Sequence, residues 1–113
     1  MPRPWYRASS LHTAVSHRKN DNNIMPSIDI VISNKLGLHA RAAAKLTQVA
    51  GRFQSEVYIA RGNQRVNAKS IMGVMMLAAG LGTTVTVDAE GEDAELALQE
   101  IRKLFDNKFG EPE

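Results

Sequence analysis

Apolar and polar residues alternate along four short stretches of this chain, which predicts four β-strands. The first stretch places Ile28, Ile30 and Ile32 on one face of a strand, between more polar neighbours. Three further segments share this two-residue period: residues 54–60, a short strand through Val66, and residues 84–89. Turn-forming residues at 61–64 separate the second strand from the third, so a hairpin is expected there.

Other segments repeat apolar residues at spacings of three and four, which predicts helices. In the first of them, Ala43, Leu46 and Ala50 form such a stripe. The expected helices are one that Gly51 ends, one that runs from the N-cap Ser70 through Ala79, and one from Glu92 to about Lys108.

The predicted order of elements is βαββαβα. With so few strands, and with helices that must each bury an apolar face, the economical arrangement is one sheet with the helices packed on one side. We therefore expect an α+β fold, an open-faced sandwich with a four-stranded, mainly antiparallel sheet and three helices on one face. A chain of 113 residues builds one modest core without an enclosed enzyme-like cavity, so chemistry is expected at the surface.

The first 24 residues differ in composition from the rest of the chain. They carry four basic side chains and one acidic one, whereas the remainder is nearly balanced with ten basic and eleven acidic side chains. They also lack an apolar period, so residues 1–24 are interpreted as a disordered extension, which a wrongly chosen upstream start codon would explain, and residues 25–113 as the folded domain. The excess basic charge thus lies outside the domain, and Tyr58 is the only aromatic residue in the expected strands, which argues against a nucleic-acid-binding module.

The absence of cysteine excludes disulfides and thiolate metal sites, and it is compatible with a reducing compartment. No apolar run reaches the roughly 18 residues that suggest a membrane span. We therefore expect a soluble, cytoplasmic protein, most simply a monomer, with no metal, no cofactor and no direct membrane insertion.

His39 lies where the first strand-like segment gives way to the first helix-like segment. The free N–H groups at the start of a helix form an anion site, and Arg41 follows two residues later. A neutral imidazole, with an unperturbed pKa of about 6.5, is a good reversible acceptor of a phosphoryl group at physiological pH. A histidine before a helix is more often an ordinary capping or surface residue, and position alone does not decide between the two.

Three short motifs in the chain resemble those of one known family. They are Gly37-Leu38-His39-Ala40-Arg41, then Lys69-Ser70-Ile71-Met72-Gly73, then Gly91-Glu92-Asp93-Ala94 at the start of the last helix. In order and spacing they resemble the HPr family, the histidine-containing phosphocarriers of the bacterial sugar phosphotransferase system, over residues 25–113. Ala42 is a departure, because the family commonly has proline there, which leaves no unpaired N–H in the first turn of a helix.

The resemblance implies a phosphoryl carrier and not a free-standing catalyst. His39 falls on the family's phosphorylated histidine, which accepts a phosphoryl group on Nδ1 from phosphoenolpyruvate-charged enzyme I and passes it to IIA domains of sugar permeases. Arg41 falls on the family's active-site arginine. Ser70 falls on a serine that an ATP-dependent kinase modifies in some bacteria, so an HPr kinase/phosphorylase is a further expected partner, although Ser70 is also explained as a helix cap alone.

A docking surface is expected beside these residues. The second helix already has an apolar core stripe within residues 74–81, so its remaining apolar side chains are left for a partner, and methionine adapts to several partners. A polar, mostly basic stripe on the first helix is expected to complete this surface. The predicted partner-binding residues are Ala40, Lys45, Gln48, Ile71, Met72 and Met75.

Two alternatives to sugar uptake remain open. A paralogous carrier of a nitrogen-related regulatory branch uses the same histidine chemistry, and the sequence does not separate the two branches. A regulatory interaction module that acts only through Ser70 would not need His39 together with Arg41, so this pair argues against such a module as the sole role.

Overall fold

One antiparallel sheet carries the fold in the computed structural model, which describes residues 15–20 and 23–113. Its strands are β1 Val15–Asn20, β2 Asn23–Val31, β3 Glu56–Arg61, β4 Gln64–Asn67 and β5 Thr84–Glu90. They lie side by side in the order β1-β2-β5-β3-β4. The central strand β5 is therefore paired with β2 on one side and with β3 on the other, antiparallel to both.

Four of these strands match the predicted sheet, and β1 is an addition to it. β1 pairs with β2 from Val15 opposite Ile28 to Asn20 opposite Asn23. The expectation of disorder up to residue 24 is therefore not met over residues 15–20, nor at the start of β2. Residues 1–14, 21 and 22 lie outside the described residues, and the domain boundary stays a prediction. β1 pairs with the edge of the sheet through its backbone N–H and C=O groups. Such pairing does not require an apolar period, so the sequence pattern did not predict this strand.

Three α-helices cover one face of the sheet, namely α1 Ala40–Gly51, α2 Ile71–Met76 and α3 Ala94–Asp106, and a 3₁₀ turn at Lys108–Gly110 follows α3. The expectation that α2 reaches Ala79 is wrong. The helix ends at Met76, with Leu77 as its C-cap and Ala78 in the left-handed region at φ 50°. The predicted α+β open-faced sandwich, with three helices on one face, is confirmed, with five strands in place of four.

The core lies between the helices and the inward face of the sheet. Alternate strand residues point into it, including Ile28, Ile30, Val57, Ile59, Val85 and Val87. The inward stripe of α1 consists of Ala42, Ala43, Leu46 and Ala50, all fully buried. Because small side chains dominate this stripe, α1 packs closely against its neighbours, and its first turn is fixed at the edge of the core.

An ion pair between a buried carboxylate and an exposed guanidinium lies on the outer face of the sheet. Asp88 of β5 is fully buried, and its Oδ2 lies 2.6 Å from Nη2 of Arg65 on β4. The Arg65 guanidinium also lies 3.8 Å from the centre of the Tyr58 ring. The hydrogen bond to Asp88 raises the pKa of the Arg65 guanidinium above its already high ordinary value. The pairing therefore compensates for the loss of hydration of the Asp88 carboxylate.

Candidate functional site

His39 occupies the N-cap position of α1. Its backbone is extended at φ −75° and ψ −179°, and its C=O accepts a hydrogen bond from the N–H of Ala43 at 2.8 Å. The N–H groups of residues 40–42 are those that an α-helix leaves without an intrahelical partner. The side chain of His39 is 28% exposed and makes no capping hydrogen bond. The ring therefore lies at the surface beside a set of backbone donors.

Two loops meet immediately before His39 and fix its position. The N–H of Leu38 donates to the C=O of Ala79, in the loop after α2, at 2.9 Å. Gly37 adopts φ 67°, and a Cβ built on it would lie only 2.6 Å from the Ala79 carbonyl oxygen. Only glycine fits this close approach, which explains why a glycine precedes the histidine by two residues.

The carboxylate of Glu111 reaches the His39 ring from the C-terminal tail, which we define as residues 107–113. Its Oε2 lies 2.5 Å from His39 Nε2, and its Oε1 accepts a hydrogen bond from Asn34 Nδ2 at 3.0 Å. Burial alone would raise the pKa of the Glu111 carboxyl. The hydrogen bonds from Asn34 and His39, together with the positive charge of Arg41, nevertheless hold this pKa below its ordinary value. Glu111 is therefore an anion at neutral pH.

The C-terminal tail is anchored on both sides of Glu111. Before it, the Phe109 side chain is buried and the Phe109 C=O accepts a hydrogen bond from Lys45 Nζ at 2.5 Å. After it, the C=O of Glu113 accepts a hydrogen bond from the N–H of Lys35 at 3.0 Å. These contacts hold the tail across the loop that precedes α1.

An open groove of about 650 Å³ lies over the His39 ring. Its lining includes Lys35, Leu36, Arg41, Glu111 and Glu113. Arg41 is exposed on the first turn of α1, so its guanidinium is accessible to a group bound in the groove. The groove therefore combines a nucleophilic ring, a cation and free helix N–H groups, with the Glu111 carboxylate along one edge.

The described part of the chain lacks two features, a metal-binding cluster and a membrane-spanning helix. Within residues 15–20 and 23–113, no group of three or more histidine, aspartate or glutamate side chains could hold a metal ion. In the same part of the chain, no helix has both the length and the apolar character needed to cross a membrane.

Ser70 caps α2 as the sequence predicts. Its backbone is extended, and its Oγ accepts a hydrogen bond from the N–H of Gly73 at 3.0 Å. The hydroxyl is only partly buried, so the capping role does not hide it from solvent.

The surplus apolar side chains of α2 are exposed, as the sequence predicts. Met72, the most exposed of them, presents 71% of its surface, and Ile71 and Met75 are exposed as well. Leu81 was expected in the core stripe, and this is wrong, because it is 60% exposed. The helical period does not extend to Leu81, since α2 ends at Met76. We name the docking patch as Ile71, Met72, Met75, Met76 and Leu81.

The predicted partner-binding residues of α1 differ in their surroundings. Ala40 and Gln48 are exposed. Lys45 is partly buried, and its ammonium group is occupied by the Phe109 C=O of the C-terminal tail. Lys45 therefore stabilises the site by holding the C-terminal tail against α1.

Sequence reasoning missed two residues that contact the site, Asn34 and Glu111. Asn34 is fully buried, and its Nδ2 donates to the Gly37 C=O at 2.8 Å as well as to Glu111. Glu111 lies 72 positions beyond His39 in the chain, too far for any local pattern to connect them. The one available signal was Phe109, an apolar residue beyond the last helical stripe that had to be buried somewhere.

Comparison with known proteins identifies the family. A family model described as the PTS HPr component phosphorylation site matches residues 26–107. The chain belongs to the HPr family. Phosphocarrier protein HPr of Cupriavidus necator is 58% identical over 85 residues, which are 75% of this chain and 96% of that protein. Phosphocarrier protein NPr of Shewanella violacea is 46% identical over 82 residues, which are 73% of this chain and 90% of that protein.

Solved structures agree with this family membership. A crystal structure of HPr from Thermoanaerobacter tengcongensis is 45% identical, has a TM-score of 0.75, and the match covers 77% of this chain and 98% of that one. A second structure from the same organism, described as an HPr dimer, is 48% identical with a TM-score of 0.63, and the match covers 73% of this chain and 94% of that one. The chain is therefore a phosphocarrier of the bacterial phosphotransferase system with the HPr fold.

Proposed function

We propose that this chain accepts a phosphoryl group on Nδ1 of His39 from enzyme I and passes it to IIA domains of sugar permeases. The observation that carries the proposal is the placement of one partly exposed histidine at the start of α1, in a groove that it shares with Arg41. Membership of the HPr family supports the same assignment.

The chemistry needs a nucleophile and a place for the anion. The Nδ1 lone pair forms a bond to phosphorus while the bond between phosphorus and the donor breaks. Arg41 and the free N–H groups of residues 40–42 then face the phosphoryl oxygens. A helix N-terminus stabilises an anion by roughly 0.3 to 1 kcal/mol at the surface and by up to about 2 kcal/mol when partly buried. Such an interaction orients the phosphoryl group without trapping it, as a carrier requires.

The openness of this site supports a carrier role in place of independent catalysis. The groove is open to solvent, whereas closing an active site around a reactant expels water from it. The partners would supply the closed environment by docking on the site. The proposal places the protein in the cytoplasm with its partners, and the monomeric state stays a prediction to be tested by light scattering.

The docking patch is the part of the surface that we assign to these partners. It lies on α2 and the loop after it, and that loop contacts the residues just before His39 through Leu38 and Ala79. A partner seated on the patch would therefore lie close to the histidine. Ser70 caps α2 at the edge of the patch, so its phosphorylation by an HPr kinase would change the charge where partners dock.

A nitrogen-related regulatory branch is the second candidate, because the NPr of Shewanella violacea is 46% identical to this chain. Both branches would use His39 in the same way. Incubation with phosphoenolpyruvate and the enzyme I of each branch in turn, followed by intact mass measurement, distinguishes them by which donor phosphorylates the chain faster.

Replacement of His39 tests the proposal directly. We expect the wild-type protein to gain one acid-labile, base-stable phosphoryl group, and His39→Ala to gain none while remaining folded by circular dichroism. His12→Ala and His17→Ala are matched controls, because they remove the other two histidines of the chain, and both should be phosphorylated like the wild type. Full phosphorylation of His39→Ala would contradict the assignment.

A further inference from the structure

We propose that Glu111 is a positioning residue that keeps the proton of His39 on Nε2 and thereby leaves Nδ1 free as the nucleophile. This inference rests on the proposed function, because it concerns which ring nitrogen accepts the phosphoryl group. Glu111 lies outside the three motifs that identify the family and outside the matched residues 26–107.

The argument starts from hydrogen-bonding capacity. An ionised carboxylate only accepts hydrogen bonds. Since Glu111 Oε2 lies 2.5 Å from His39 Nε2, that nitrogen must carry a hydrogen. In a neutral imidazole only one nitrogen is protonated, so the lone pair of the ring is on Nδ1. The carboxylate thus selects the tautomer that phosphorylation on Nδ1 requires.

The position of Glu111 is fixed by more than its contact with the ring. Its side chain is only 9% exposed, and Asn34 Nδ2 donates to its second oxygen at 3.0 Å. The orientation of the Asn34 amide is fixed, because the same Nδ2 also donates to the Gly37 C=O at 2.8 Å. A rotation of the amide by about 180° would place Asn34 Oδ1 against the Gly37 carbonyl oxygen and the Glu111 carboxylate. Asn34 is itself fully buried. The carboxylate is therefore oriented before any phosphoryl donor arrives.

The same contact remains useful after transfer. When Nδ1 forms its bond to phosphorus, Nε2 keeps its proton and the ring becomes positively charged. The Glu111 carboxylate then faces a cationic ring, which strengthens the hydrogen bond. On transfer to the next acceptor, the bond between Nδ1 and phosphorus breaks, its electron pair returns to Nδ1, and the ring is again neutral with its proton on Nε2.

Glu111→Gln gives an unusually specific test, because glutamine presents one acceptor and one donor in the same place. Its oxygen must face Asn34 Nδ2, so its NH₂ group faces His39 Nε2, which must then accept a hydrogen bond. The ring is forced into the tautomer with the proton on Nδ1, where it blocks the nucleophile. Glu111→Ala removes the contact without imposing the wrong tautomer. The order of rates should therefore be wild type, then Glu111→Ala, then Glu111→Gln.

The experiment has two measurements. Long-range ¹H–¹⁵N spectra of the unphosphorylated protein, at a pH where the ring is neutral, report which nitrogen carries the proton. Rapid-quench single-turnover assays with enzyme I and phosphoenolpyruvate report the rate of phosphoryl acceptance. We expect Glu111→Gln to move the proton to Nδ1 and to slow acceptance by about 10-fold or more, as for other groups that orient a histidine. Glu92→Gln, the same change at an exposed glutamate that does not line the groove, should alter neither measurement.

The outcomes separate this inference from the proposed function. Absence of phosphorylation of wild-type His39 would overturn both. If the wild type is phosphorylated but Glu111→Gln keeps the proton on Nε2, or reacts as fast as Glu92→Gln, only the role of Glu111 is overturned. A Glu111→Ala variant slower than Glu111→Gln would also overturn it, because the tautomer would then not determine the rate.

Discussion

Gly37 shows at the scale of a single residue how the loop before His39 depends on one backbone conformation. Gly37→Ala would force a non-glycine residue to φ 67° and place its Cβ 2.6 Å from the Ala79 oxygen. Gly62→Ala is a matched control, since Gly62 has φ 59° but its Cβ would meet nothing within 4 Å. We expect the control to lose about 1 kcal/mol of stability and Gly37→Ala to lose a further 1 to 3 kcal/mol, roughly, from the clash. Urea unfolding of both variants measures the difference. Equal losses of unfolding free energy would show that the loop shifts to accommodate the added Cβ at residue 37.

Asp93 gives a prediction about pH. Its carboxylate accepts hydrogen bonds from the Ser55 hydroxyl and from the N–H groups of Gln54 and Ser55. The bond from Ser55 is the main cause that lowers the Asp93 pKa below its ordinary value of 3.8. A lowered folded-state pKa means that the stabilisation is present above pH 3.8 and is lost as the pH falls through the folded-state value.

Asp93→Ala should therefore destabilise the protein at neutral pH and have a smaller effect well below pH 3.8. Urea unfolding at the two pH values measures this, with the exposed neighbour changed in Glu92→Ala as the control. A loss that is the same at both pH values would mean that Asp93 acts through its shape and not through its charge.

At the scale of elements, α2 combines a short buried stripe with an exposed apolar flank. Met72→Asp adds a charge to this flank at a side chain that contributes little to the core, so we expect the free energy of unfolding to change by less than about 0.5 kcal/mol. Transfer from enzyme I should slow severalfold, because a partner would have to desolvate the new carboxylate. Leu96→Asp is the matched control, because Leu96 is a half-exposed leucine on α3, and it should transfer normally. Equal transfer rates for the two variants would place the docking surface elsewhere.

Ser70 caps the start of α2 and lies beside Ile71 of the docking patch. Ser70→Ala removes the acceptor for the Gly73 N–H and should cost about 1 kcal/mol of stability, whereas Ser70→Asp keeps a capping oxygen and should not. If a charge at Ser70 opposes docking, Ser70→Asp should nevertheless accept phosphate from enzyme I more slowly than Ser70→Ala. Unfolding and transfer assays on the same pair of variants test both statements. Equal transfer rates would leave Ser70 as a helix cap only.

Local signals in the sequence were sufficient for most elements and for part of the site. The alternation at Ile28 and Ile30, the cap at Ser70 and the histidine before α1 each involve residues close together in the chain, where periodicity and capping rules apply. Leu81 was misplaced because the rule continued a helix beyond its real end at Met76. Periodicity cannot detect where tertiary contacts stop a helix, so boundaries are less predictable than elements.

At the scale of the whole molecule, contacts between distant segments could not be predicted. Glu111 reaches His39 because the C-terminal tail is anchored back over the site, in part by the Phe109 side chain, which is buried against Phe105 with ring centres 4.8 Å apart. β1 joins the sheet through backbone pairing with β2, although its sequence has no apolar period. Both features depend on which surfaces the completed fold leaves available.

The added strand β1 leads to a prediction for the whole domain. Deleting residues 1–22 removes the six residues of β1 that pair with β2 and uncovers an edge of the sheet. A terminal edge strand contributes modestly, so we expect a loss on the order of 1 kcal/mol and a fall in Tm of about 4 to 8 °C. Phosphoryl acceptance should be unchanged, because the described contact of the His39 ring comes from the C-terminal tail, and the described lining of its groove comes from that tail, the loop before α1 and the first turn of α1.

Deleting residues 1–14 is the control for this truncation, since it leaves β1 in place. This shorter deletion should keep the Tm of the full chain, and scanning calorimetry of the three proteins side by side makes the comparison. If both truncations melt like the full chain, β1 contributes nothing to stability and the domain is complete from β2 onward. If the longer truncation also loses phosphoryl acceptance while remaining folded, the edge of the sheet must influence the site through β2, which leads directly to the loop that contains Asn34 and Gly37.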